Sequence, residues 1–217
     1  MEKIISKEAL SEFLKDGMTL MIGGFLANGT PESLIDFLIE KNVKDLVIIC
    51  NDTGFPDKGI GRLVVNRQVK KVITSHIGTN SETGRQMNAG EIEVQLIPQG
   101  TLVEKIRAAG SGLGGFLTPT GIGTMVEEGK EKILVDGKTY LLELPIKADL
   151  ALLKGSKVDE KGNIWYNKST RNFNPVMATA ADLVVVEAEE IVKAGEIDPS
   201  NVVTPGIFVD YIVKGRG

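Results

Sequence analysis

Short apolar runs recur along the chain: Thr19 to Ile22, Leu46 to Cys50, Val72 to Thr74, Val94 to Ile97, Leu150 to Leu153 and Leu183 to Val186. Their length and their content of Val, Ile and Leu predict buried strands. Between the first two, Pro31 to Lys41 places Leu34, Ile35, Leu38 and Ile39 on one helical face, with Glu32, Asp36 and Glu40 elsewhere. This alternation of strand and helix predicts an open α/β fold with a largely parallel sheet covered by helices. Two helix starts are marked: Thr30 before Pro31 at the first helical position, and Thr101-Leu-Val-Glu104 with the spacing of a capping box.

After the Thr101 helix the pattern changes. Gly110 to Gly123 contains six glycines among fourteen residues, including Gly110, Gly112, Gly114, Gly115, Gly121 and Gly123, and predicts an extended loop. Ile133 to Leu142 predicts a hairpin turning at Asp136-Gly137, and Asp159 to Tyr166 a further turn and strand. No linker, repeat or low-complexity tract divides the chain, so one domain over residues 1–217 is expected.

Composition narrows the function. The chain is 42% hydrophobic and 25% charged, which excludes a disordered or fibrous protein. A net charge of -4 with mixed signs provides no basic stripe for nucleic acid. No apolar run is long enough to span a bilayer, and Met1 to Lys15 lacks the pattern of a signal peptide, so no membrane association and a cytoplasmic location are expected. Cys50 is the single cysteine and sits in an apolar run, the setting of a core thiol, and His76 is the single histidine, read as structural. No metal site can be assembled at motif spacing, and the scattered acids Glu127-Glu128 and Glu187 to Glu190 read as solvated faces or helix starts.

The segment with most chemical potential is Gly23-Gly-Phe-Leu-Ala-Asn-Gly29, between an expected strand and the Pro31 helix. In open α/β folds this is the ligand-binding edge, where glycines admit close approach and a helix N-terminus favours an anion. On the residues alone, a ligand cradle and a tight connecting turn fit equally well. Gly110 to Gly115 formally contains G-x-G-x-x-G, but it follows a helix and precedes Phe116-Leu-Thr-Pro119, the wrong context for a dinucleotide fingerprint.

Asp16-Gly17, the apolar Leu20-Met-Ile22, Gly23-Gly-Phe25, Gly29 and Pro31 together resemble the alpha signature of the family I CoA-transferases. The likeness continues through Gln99 to Gly110, the Gly112 to Gly123 loop, Glu143-Leu-Pro145, Ala148-Asp149 and Asn172-Phe-Asn-Pro175, and is strongest to alpha subunits of bacterial acetate or butyrate to acetoacetate CoA-transferases. The resemblance implies a ping-pong transfer of CoA between short-chain acyl-CoA and a short-chain carboxylic acid through a glutamyl-CoA thioester. It implies a beta subunit, in an α2β2 assembly, that carries the nucleophilic glutamate in a Ser-Glu-Asn-Gly motif this chain lacks. Coenzyme A and acyl-CoA would be substrates, with no prosthetic group. Gln99 matches the position that supplies an oxyanion donor, and Gly24, Phe25, Leu26, Ala27, Asn28, Gly29 and Thr30 match the segment expected to contact CoA through backbone donors, helped by the helix dipole at Pro31.

Two other readings remain open from the residues. Ser81-Glu82-Thr-Gly84 is the nearest approach to the missing motif, so Glu82 is an alternative nucleophile for a self-sufficient acyltransferase, although it reads more simply as an acid in the first turn of a helix. A non-catalytic small-molecule sensor of related α/β fold is the other.

Overall fold

The structure is a computed structural model that describes residues 2–216. The first half alternates β1 (Thr19–Ile22), α1 (Glu32–Lys41), β2 (Leu46–Ile49), α2 (Gly61–Val65), β3 (Val69–Thr74), α3 (Ser81–Asn88), β4 (Glu93–Leu96) and α4 (Gln99–Gly110). The second half contains β5 (Phe116–Thr118), β6 (Lys132–Val135), β7 (Lys138–Glu143), β8 (Ala148–Asp159), β9 (Ile164–Trp165), α5 (Asn174–Met177), β10 (Ala181–Val192) and β11 (Tyr211–Lys214).

The main sheet runs β11-β10-β8-β1-β2-β3-β4 with every neighbouring pair parallel, and short β9 adds antiparallel to β8. From β1 the chain steps outward through β2, β3 and β4, whereas β8, β10 and β11 build outward on the other side. The direction of winding therefore reverses between β1 and β8. In open parallel sheets the loops at the carboxyl ends of strands diverge at such a point and leave a crevice for ligand.

Alternation of side chains explains why the strand runs are apolar throughout. Leu20, Ile22, Ile48, Leu150 and Leu152 face Leu34, Phe37 and Leu38 of α1 and Leu63 of α2. Their neighbours Met21, Ile49, Ala151 and Leu153 face the opposite way, onto Leu102 and Ile106 of α4 and Met177 of α5. Each fully buried Leu or Ile contributes about 1.5–3 kcal/mol by leaving water, so both faces are needed to hold the sheet. The run Val94 to Ile97 differs from expectation. β4 is the last strand of the sheet and most of its side chains are exposed, because only β3 covers it.

The expected long glycine loop is partly strand: Phe116 to Thr118 pairs antiparallel with β7, and β6 pairs with β7 on the other side, forming a separate three-stranded sheet. Its hairpin turns at Asp136 and Gly137, with φ of 48° and 75°, as the Asp-Gly pair predicts. This sheet is tied to α4 through Glu143, whose side chain is only 2% exposed and accepts hydrogen bonds from Lys105 Nζ at 2.9 Å and from Lys130 Nζ. Burial pushes the Glu143 carboxyl up, but the bonds from Lys130 and Lys105 outweigh it and hold the group below the ordinary value of 4.5. A carboxyl whose folded pKa is depressed adds stability above the unfolded value, and that stability is lost as pH falls through the folded value. Acid titration of stability should therefore be less steep below pH 4.5 in Glu143→Gln than in the parent, measured by urea denaturation; identical slopes would contradict this role.

Candidate active site

β1 ends at the crevice, where Gly23 N–H still bonds Leu152 O of β8 at 3.0 Å. The chain then closes a two-residue turn: Phe25 and Asn28 exchange backbone hydrogen bonds of 2.9 Å in each direction. Leu26 and Ala27 at the tip have φ of 47° and 63°, a left-handed conformation that costs a non-glycine residue about 1–2 kcal/mol. Long-range bonds hold it in place. Asn172 accepts from Gly24 N–H at 3.1 Å and donates to Asn28 O at 3.0 Å, and Asn174 Nδ2 donates to Gly29 O at 3.0 Å. Asn28 Nδ2 donates to Ser169 Oγ at 2.7 Å. Gly29 has φ of 70°, and a Cβ there would lie 2.7 Å from Thr170 O, so only glycine fits.

A second turn of the same design follows β2. Gly54-Phe-Pro-Asp-Lys-Gly59 repeats the Gly-Phe-x-x-x-Gly spacing of Gly24 to Gly29, and Phe55 and Lys58 are bridged as Phe25 and Asn28 are. The two turns touch: a Cβ on Gly59 would lie 3.3 Å from Ala27 Cβ. Both present their phenylalanine to solvent, Phe25 at 42% and Phe55 at 36% exposure. This second turn is visible in the sequence as a repeat of the first, and reading motifs singly overlooks it.

Between the first turn, the ends of β2 and β3, and the start of α4 lies an open depression of about 390 Å³, lined by Phe25, Leu26, Asn51, Asp52, Ser75, His76, Thr79 and Gln99. Gln99 is the first residue of α4, after Pro98, and its side chain is exposed. Its Nε2 donates to Asn51 Oδ1 at 2.6 Å. Asn51 Nδ2 in turn donates to Asp52 Oδ2 at 2.7 Å. The Asp52 carboxylate also accepts from Leu26 N–H at 3.0 Å and from Gly54 N–H at 2.8 Å, which engages both of its oxygens. The carboxylate in this wall is therefore structural, and the depression offers an amide donor without a free carboxylate.

Of the residues expected to form the site, the structure brings Phe25, Leu26 and Gln99 together in this wall, while Gly24, Ala27, Asn28, Gly29 and Thr30 shape the turn behind it. The backbone donors are fewer than expected. The N–H groups of Gly24, Phe25, Leu26 and Asn28 are bonded within the chain, leaving those of Ala27, Gly29 and Thr30. The helix start also differs: α1 begins at Glu32 with Pro31 in the capping position, and its Leu34 N–H donates to Glu187 Oε2 at 3.0 Å. Glu187, read from the sequence as solvated, is 1% exposed and supplies the protein's own anion to that helix end. A helix dipole at Pro31 open to CoA is thus corrected by the position of this carboxylate. Thr101 is likewise no cap. α4 starts two residues earlier, and Thr101 Oγ1 is buried without a partner among the described residues.

His76, read as structural, lies exposed in the depression wall. Glu82 sits in the first turn of α3, capped by Asn80, as the simpler reading had it. Its carboxylate accepts two bonds of 2.8 Å from Arg85 and one of 2.7 Å from Gln86 Nε2, and these hydrogen bonds, Arg85 first, lower its pKa to about 2. A carboxylate clamped by a guanidinium is a weakened nucleophile. Cys50 is fully buried and burial pushes its thiol up, which removes it as a thiolate. Among the described residues no group of three or more His, Cys, Asp or Glu could hold a metal ion, and no helix is long and apolar enough to cross a membrane.

The chain is an open parallel sheet with a turn and an amide at its switch point, the edge where sheets of this class bind ligands. Residues 3–215 match the model of the Coenzyme A transferase family. The chain is 58% identical over 212 residues to the acetoacetyl-CoA:acetate/butyrate CoA transferase alpha subunit of Clostridium acetobutylicum, covering 98% of this chain and 97% of that one. It is 55% identical over 214 residues to the acetate CoA-transferase subunit alpha of Escherichia coli, covering 99% and 97%. The chain belongs to the coenzyme A transferase family and is a CoA-transferase subunit.

Solved structures agree on the fold. An acyl-CoA transferase of Escherichia coli O157:H7, crystallised as a thioester complex with CoA, superposes with a TM-score of 0.85 at 23% identity. The match covers 98% of this chain and 47% of that one, so this chain spans about half its length. Glutaconate coenzyme A-transferase from Acidaminococcus fermentans superposes with a TM-score of 0.83 at 19% identity, covering 98% and 75%.

Proposed function

We propose that this chain is the alpha subunit of a CoA-transferase that moves CoA between acetyl-CoA or butyryl-CoA and acetoacetate or another short-chain fatty acid. The observation that carries this reading is the pairing, in one depression, of an exposed Gln99 amide with a wall whose carboxylate is already engaged at both oxygens. An attacking carboxylate then comes from another chain, and a beta subunit closing over Phe25, Leu26 and Phe55 supplies it as a glutamate.

In the first half-reaction the partner's carboxylate oxygen attacks the acyl-CoA carbonyl carbon, the C–S bond breaks, and an acyl-glutamyl anhydride and CoA thiolate form. The thiolate then attacks the glutamyl carbonyl, releasing the first carboxylic acid as its anion and leaving a glutamyl-CoA thioester. The second acid's carboxylate reverses both steps and leaves as acyl-CoA. Every attack places negative charge on a carbonyl oxygen. An amide N–H fixed before the reaction stabilises that charge without reorganisation, and Gln99 keeps one Nε2 hydrogen beyond its bond to Asn51. The N–H groups of Ala27, Gly29 and Thr30 are the turn's remaining donors for CoA. Assembly as α2β2 and a cytoplasmic location complete the proposal.

The chain should be purified alone and with a beta subunit and assayed for exchange between acetyl-CoA and acetoacetate or butyrate. Exchange is expected in the mixture, with the lone chain at background. Comparable turnover by the lone chain would contradict a shared site.

A further inference from the structure

We infer that Asp52 is a positioning residue that sets which end of the Gln99 amide faces the depression, acting through Asn51. The inference rests on the reading of Gln99 as an oxyanion donor. Asp52 and Asn51 are 4% and 2% exposed, so water does not satisfy their polar atoms and each must find its partner within the protein. An ionised carboxylate only accepts hydrogen bonds. Facing it at 2.7 Å, Asn51 must therefore present its Nδ2 to Asp52 and turn Oδ1 away. Oδ1 also only accepts, and it meets Gln99 at 2.6 Å, so the end of Gln99 drawn to it is the Nε2 donor. One N–H of Gln99 is fixed on Asn51, and the second stays with that nitrogen at the depression.

Alanine at position 52 removes this order, whereas asparagine does not, because its amide oxygen in the place of Oδ2 keeps the bonds from Asn51 and Leu26. With alanine, Asn51 Nδ2 has no acceptor inside, and a buried unpaired donor is costly. Turned outward, Nδ2 finds an acceptor in Gln99 Oε1, and the amide that should donate to an oxyanion turns its own oxygen toward the same place. Two changes of hydrogen-bond polarity thus carry the identity of a buried residue to the reacting centre. Asp52 also holds Leu26 and Gly54 of the two turns, so a role confined to bracing those turns is the competing explanation. Asn51 separates the two: it connects Asp52 to Gln99 and bonds neither Leu26 nor Gly54 N–H.

The test is steady-state kinetics of the reconstituted complex carrying Asp52→Ala, Asn51→Ala, Gln99→Ala, and each of the first two combined with Gln99→Ala. Thermal unfolding and co-purification with the beta subunit are followed in parallel. Asp52→Ala and Asn51→Ala should each lower kcat by about tenfold to a hundredfold with KM changed less than about threefold. In the Gln99→Ala background neither should lower kcat by more than about twofold, because the group they orient is already gone. Parental kcat in Asn51→Ala would overturn the relay, also if Asp52→Ala fails to fold. A full Asp52→Ala loss persisting on top of Gln99→Ala would overturn it in favour of turn bracing. Parental kcat in Gln99→Ala alone would instead overturn the oxyanion reading beneath it.

Discussion

Gln99→Ala in the assembled enzyme is expected to lower kcat by about a hundredfold or more, the loss that follows removal of one oxyanion donor. The expectation comes from where the side chain stands. It projects from the first residue of α4 into the depression, bonds only Asn51, and is exposed in the isolated chain. Alanine is a good residue in a helix, so the fold has little reason to respond. KM for acyl-CoA should change much less than kcat, because the oxyanion exists only as the carbonyl is attacked and ground-state binding does not use it. Stopped-flow or steady-state exchange assays with acetyl-CoA and acetoacetate measure both constants. A parental kcat would reduce Gln99 to a brace for the turn before α4, and a rise in KM alone would make it a binding contact.

Glu187→Ala should have the largest effect on stability, about 3–5 kcal/mol, measured by urea denaturation of the purified chain. Glu187 lies directly opposite Lys154 across β10 and β8, and Lys154 Nζ donates to its Oε1 at 2.9 Å. Side-chain exposures of 10% for Lys154 and 1% for Glu187 mean that truncation leaves an interior ammonium group with only the half-exposed Glu189 carboxylate, 3.7 Å away, beside it. The same change removes the acceptor of Leu34 N–H at the start of α1. The site would feel it too, since Lys154 N–H bonds Asn174 Oδ1 and Asn174 Nδ2 bonds Gly29 O. Replacing both ions, as Lys154→Met with Glu187→Leu, should recover much of the loss because no lone charge remains buried. A loss below about 1 kcal/mol in Glu187→Ala would show that water reaches the pair and that it behaves as a surface ion pair.

These same two residues mark the boundary of what the sequence could tell. The apolar runs of β1 and β2 and the Asp136-Gly137 hairpin are local patterns, and they appear where periodicity and turn chemistry put them. β8 and β10 run to 12 residues each, longer than Leu150 to Leu153 and Leu183 to Val186, because Lys154 and Glu187 break the apolar pattern that would extend them. Each charge is acceptable inside only because the other, 33 residues away, is its neighbour in the sheet. A sequence pattern cannot supply that pairing.

The site divides in the same way. The Gly23 to Thr30 turn and Gln99 stood out through glycine spacing and through resemblance. The resemblance through Asn172-Phe-Asn-Pro175 acquires a cause, since Asn172 and Asn174 grip Gly24, Asn28 and Gly29. Asn51, Asp52, Ser75 and His76 were missed because they follow the ends of β2 and β3 as single polar residues, and only the parallel sheet sets those strand ends beside the first turn. Thr101 shows the converse. Its capping-box spacing to Glu104 is real, but Pro98 is already compatible with a helix start, and Leu102 N–H bonds Pro98 O at 2.9 Å, so α4 begins before the box.

The division of labour between two chains is tested most directly by locating the covalent intermediate. The reconstituted complex, incubated with acetoacetyl-CoA and no second acid, should be digested and both chains searched by mass spectrometry for a CoA thioester. The expected result is CoA on one glutamate of the beta subunit and unmodified peptides throughout this chain, including the one carrying Glu82. CoA on Glu82, or on any other carboxylate of residues 1–217, would contradict it.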